Sequence, residues 1–142
     1  MARERMGGAS LLVLGVLTLG TGAYFLFVRP PLLPEDVRFT GADPKFVDPR
    51  ILAWLGIVFR TWGGFLAGFG ILLGAVGWSL LSAREGLLRW GASAAVLVAF
   101  GRFLFSNLML HSDHLPFIFA MFAIAVVAAA LLIRRGPSAP DG

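Results

Sequence analysis

Residues 48–81 read DPRILAWLGIVFRTWGGFLAGFGILLGAVGWSLL. After Arg50 the only charge in this stretch is Arg60. Residues 61–81 form an uncharged run long enough to cross a bilayer core, which takes about 20 apolar residues. The glycines are periodic: Gly56, Gly63, Gly70 and Gly77 recur every seventh residue, with Ala67 and Gly74 between them. Residues three, four and seven apart share one helical face. That face carries Gly56, Arg60, Gly63, Ala67, Gly70, Gly74 and Gly77. Small residues let helix backbones approach closely in lipid, so the face predicts a packing seam.

Composition agrees with this reading. The chain has 142 residues, of which 58% are hydrophobic and 14% charged, and its mean hydropathy is +0.83. Soluble domains carry about 25% charged residues. A chain this apolar could not cover a soluble core, so it belongs with membrane proteins. Its length allows one domain. The absence of cysteine excludes disulfides, thiol chemistry and cysteine-based metal sites. The net charge of +4 is not a nucleic-acid signal, because the basic residues lie beside apolar spans as topology determinants.

Outward from the central stretch, the spacing predicts an all-α, up-and-down four-helix transmembrane bundle. Its spans lie near 9–28, 51–81, 83–110 and 116–134. The first follows Arg3, Glu4 and Arg5, resembles a signal peptide, but is too long for one and lacks an A-x-A site, so an uncleaved span is expected. Residues 29–50 form an outer loop with five prolines, which oppose long regular structure. Asp43-Pro44 is expected to start one turn, and Asp48-Pro49 the long helix, each as N-cap and first helical residue. Ser82-Ala83-Arg84-Glu85 fits a capping box after a tight hairpin. In the third span Gly91, Ala95, Ala99, Arg102 and Ser106 form a second small and polar face. The tail 136–142 is expected to be disordered. The terminal side carries Arg3, Arg5, Arg84, Arg89, Arg134 and Arg135, and the loop side Arg29, Arg38, Lys45 and Arg50. Six against four favours cytoplasmic termini.

The chemistry-bearing candidates are few. Arg60 and Arg102 are the intramembrane charges, each placed about 10–15 Å below the loop side by helix rise. They snorkel, join an ion-pair network under the loop, or bind an anionic ligand or lipid headgroup. The expected geometry turns both inward beneath the loops, toward loop carboxylates or carbonyls, with Asp113 and an acid of residues 35–48 as the leading partners. Asn107, His111, Asp113 and His114 extend this polar cluster. Histidine and carboxylate can ligate metal. The alternative is a polar turn in which Ser112 or Asp113 caps the last helix. No metal and no cofactor is expected. Gly56, Gly63, Gly70, Gly74 and Gly77 are expected to pack helices.

Taken together, the N-terminal span, the proline-bearing loop, Arg60-Thr61-Trp62-Gly63-Gly64, Gly70-Ile71-Leu72-Leu73-Gly74, Gly101-Arg102 and Leu115-Pro116 resemble the small four-span bacterial membrane proteins of the DoxX-like group, including an uncharacterised sister family. The resemblance implies architecture and carries no catalytic activity across.

Three function classes follow. The first is a non-enzymatic membrane protein that works by helix packing with lipid, a partner or a second copy. The second is a small-solute or anion carrier with Arg60 and Arg102 at its site. The third is a membrane enzyme or redox subunit, opposed by the lack of cysteines and of histidines or acids within the spans.

Overall fold

The computed structural model describes residues 2–82 and 86–133. Among them the chain forms helices α1 (Ala2–Phe27), α2 (Pro34–Thr40), α3 (Pro49–Ser82), α4 (Gly86–Leu110) and α5 (Leu115–Ile133), with no strand. All but α2 are long and apolar enough to cross a membrane. The fold is therefore an all-α four-helix bundle of a multi-pass membrane protein. The expected capping box at 82–85 and the tail 136–142 lie outside the described residues.

Helix starts follow the sequence signals. Asp48 Oδ1 accepts the Arg50 N–H at 2.8 Å, and Pro49 opens α3 without an N–H to satisfy. Asp43 starts a single turn, accepting the Lys45 N–H on its side chain at 2.9 Å. The long loop is more regular than its prolines suggest, because α2 forms within it. Pro34 takes the first helical position and the Asp36 carboxylate reaches back to the Leu33 N–H at 2.8 Å. Glu35 and Asp36 suit the positive helix start. Gly41 ends the helix at φ 68°, a conformation glycine adopts without a Cβ penalty.

Packing does not follow chain order. α3 lies along α1, α1 against α5, and α5 against α4, whereas α3 and α4 barely touch. Phe69 and Phe100 meet between them, with ring centroids 6.2 Å apart. The expected neighbouring hairpin of α3 and α4 is thus replaced by a central α1. The reason is a reciprocal glycine seam. Gly8, Gly15 and Gly22 of α1 also recur every seventh residue and face Gly77, Gly70 and Gly63 in turn. A methyl at Gly70 would lie 2.6 Å from the Leu19 nitrogen and 2.8 Å from the Gly15 oxygen. A methyl at Gly15 would lie 2.8 Å from the Gly70 oxygen. Each glycine therefore directs a Cα–H toward its partner's carbonyl, a contact that recurs where helix backbones meet closely.

Two expected seam positions differ. Gly74 sits at the flank: its own missing side chain faces open space, but its backbone nitrogen is 2.8 Å from where a Gly15 methyl would be. Gly56 meets nothing within 4 Å, because α1 has ended at that level. The small face of α4 also differs. Gly91, Ala95, Ala99 and Arg102 are all exposed, and the buried face is Ala92, Ser93, Val96 and Phe100. The core joins Leu11 and Leu14 of α1, Leu73 and Leu80 of α3, and the row Met121, Ala125, Ala128 and Leu132 of α5.

Candidate functional site

A polar cap closes the loop end of the bundle through three tethers. The first is Arg29, just beyond α1. Its Nη2 donates to Asp36 Oδ2 at 2.8 Å and its Nη1 to the Pro30 carbonyl at 2.9 Å. Its guanidinium carbon stands 3.4 Å from the centroid of the Phe59 ring, and the side chain is only 4% exposed. Its Nε is buried without a hydrogen-bond partner. The ring face and the carboxylate together hold this charge, tying the end of α1 and the start of α2 to α3.

The second tether is buried. Ser112 Oγ donates to Glu35 Oε1 at 3.1 Å and accepts the His114 N–H at 3.2 Å. Glu35 is 3% exposed, so α2 presses its acid onto the turn between α4 and α5. The third is exposed: Arg38 Nη2 donates to Asp113 Oδ1 at 2.7 Å. That hydrogen bond raises the Arg38 pKa above its usual value.

The sequence-nominated residues divide accordingly. Asp113 belongs to Arg38. His111 stands at φ 49° in the turn, its carbonyl 3.5 Å from Arg38 Nη2. The His114 ring packs edge-on to Tyr24, centroids 6.2 Å apart. Asn107 Nδ2 donates to the Phe103 carbonyl, and its own carbonyl accepts the Ser112 N–H. Ser112 braces the turn ahead of α5. No group of three metal-ligating side chains occurs among the described residues.

Arg60 and Arg102 are not brought together and do not turn inward. Both are exposed. Arg102 has the Phe105 ring, 5.4 Å from its guanidinium carbon. The acids offered to them are engaged elsewhere: Asp36 with Arg29, Glu35 with Ser112, Asp113 with Arg38, and Asp43 and Asp48 with their own turns. Arg60 instead borders an open concavity lined by Pro31, Leu52, Ala53, Gly56 and Ile57. Below it a second groove is lined by Thr61, Gly64, Phe65, Gly68, Phe69 and Leu72.

The chain matches no family model, no curated protein and no solved structure.

Two features of this end were missed from sequence. Arg29 reads as one more loop charge, and only the placement of α2 turns it inward. The P-E-D start and Gly41 stop of α2 were the available signal.

Proposed function

We propose that the protein is a non-enzymatic integral membrane protein that acts through its lipid-facing surface, by contact with lipid, a membrane partner or a second copy. We place it in a bacterial inner membrane with cytoplasmic termini, and propose the DoxX-like relationship on the same footing. The order of one span, a proline-bearing loop and three further spans supports that relationship. The observation that carries the reading is where polarity goes. Thr18, Thr21, Ser93, Ser106 and Asn107 each donate to a carbonyl one turn back in their own helix. The interior between helices is filled by glycine backbone and by leucine, alanine, valine, phenylalanine and methionine side chains. The two intramembrane charges stand on the outer surface.

The carrier reading needs both arginines at one solute site, and their separate positions disfavour it. The experiment is anion flux in reconstituted vesicles. The expected result is phosphate and chloride leakage equal to that of protein-free vesicles. Flux that Arg60→Met or Arg102→Met abolishes would replace this reading with the carrier.

A further inference from the structure

We infer that Arg60 and the groove below it on α3 hold one anionic phospholipid of the leaflet at the loop end, an inference that rests on the reading of a protein acting through its lipid-facing surface. Depth is the first argument. Gly22 faces Gly63 across the seam, so Arg60 is level with Phe25, two residues inside the end of α1. That is about 3 Å at 1.5 Å per residue. With the end of α1 taken as the edge of the hydrocarbon, the guanidinium lies where the phosphates of that leaflet begin. Trp54, 60% exposed, stands above it as an interfacial aromatic.

Charge is the second argument. The loop carboxylates are engaged elsewhere, and among the described residues Arg60 has no hydrogen-bond or ion-pair partner. A guanidinium at the edge of hydrocarbon needs an acceptor, and phosphate oxygens match its donors.

Shape is the third. Gly56, Arg60, Gly64, Gly68 and Leu72 form one i+4 row, and such rows define the grooves of a helix surface. Added side chains at Gly56, Gly64 and Gly68 would meet nothing within 4 Å. The two concavities follow this row, one beside Arg60 and one beneath it. From Arg60 to Leu72 the row is about 18 Å long, close to the ~15 Å of hydrocarbon in one leaflet. A lipid brings a phosphate and an apolar chain already joined at that spacing. A partner helix would have to carry an acceptor to the same depth.

The test is thermal unfolding of the full chain in detergent, titrated with dioleoyl phosphatidylglycerol, dioleoyl phosphatidylcholine or glycerol 3-phosphate. Phosphatidylglycerol should raise the melting temperature of the parent protein more than the other two. Arg60→Met should weaken the apparent affinity about fivefold, the worth of one basic residue at an anionic surface. Gly64→Leu, which fills the groove at an open position, should weaken it with Arg60 intact. Arg102→Met should behave as the parent. The inference is overturned if Arg60→Met is stabilised like the parent, if Arg102→Met loses as much, or if glycerol 3-phosphate suffices without a chain. It is also overturned if Gly64→Cys forms disulfide-linked dimers in phosphatidylglycerol vesicles, which would give the groove to a second copy. Flux measured on the same vesicles keeps the two readings apart. Flux would overturn the proposed function, whereas absent flux without lipid selectivity would overturn only this site.

Discussion

Gly70→Ala tests the seam with the smallest possible perturbation. The added carbon would lie 2.6 Å from the Leu19 nitrogen, 2.8 Å from the Gly15 oxygen and 3.0 Å from the Leu19 Cα. All three are backbone atoms, so no side chain can swing away. α1 and α3 must part until the 2.6 Å contact exceeds 3.0 Å, the closest that real Cβ atoms come. A gap of 0.5–1 Å forfeits about a quarter to a half of each contact's dispersion energy. Overpacking of this kind costs about 1–3 kcal/mol. Glycine to alanine also gains up to about 1 kcal/mol of helix propensity, so the comparison must cancel it. Gly68→Ala, on the same helix, meets nothing within 4 Å and shares the propensity gain. The expected result in detergent unfolding is Gly70→Ala below Gly68→Ala by about 1–3 kcal/mol. Once the helices have parted, a second methyl costs less, so Gly15→Ala with Gly70→Ala should fall short of additivity. Equal stability of Gly70→Ala and Gly68→Ala would refute the seam.

Arg29→Met leaves Asp36 without its partner in a nearly closed site, and removing one member of a buried pair costs about 3–5 kcal/mol. Thermal unfolding should show that loss, partly recovered by Arg29→Met with Asp36→Leu; an unchanged melting temperature would mean the pair is dispensable. Ser112→Ala leaves the Glu35 carboxylate without its hydroxyl donor, at about 1–3 kcal/mol, and proteolysis within residues 29–50 should quicken. Unaltered cleavage would argue that α2 is held by other contacts. Reporter fusions after residue 142 and within 29–50 should report opposite sides, with the tail inside; the reverse pattern would invert the proposed orientation.

The spans and the start of α3 were legible because both rest on local signals, hydropathy and an Asp-Pro cap. The α3 side of the seam was legible from its seven-residue period. Its partner was equally visible in Gly8, Gly15 and Gly22, but a period on one helix does not name the helix it meets. The face of α4 shows the limit. Gly91, Ala95 and Ala99 look like a seam by size, yet they point outward. Lipid is as apolar as a protein interior, so hydrophobicity does not separate inside from outside in a membrane. The polar cap was illegible for another reason. Which arginine meets which acid depends on where α2 rests, and that is set by contacts between distant segments such as Glu35 and Ser112.

The seam also decides how the two intramembrane charges differ. α3 overshoots α1, so its first two turns lie outside the paired region and Arg60 is almost level with the end of α1. The turn between α4 and α5 lies beside Tyr24, near the same level as Arg60. Arg102 is eight residues before Leu110 and therefore about 12 Å deeper. Charge is costlier at that depth, where water and headgroups are out of reach. An anion bridging the two guanidiniums would have to span this drop between two helices that barely touch. Counting along each helix alone gives Arg60 and Arg102 equal depth. The register of glycine against glycine removes it, leaving Arg60 an interfacial charge and Arg102 a buried-depth charge on a different face.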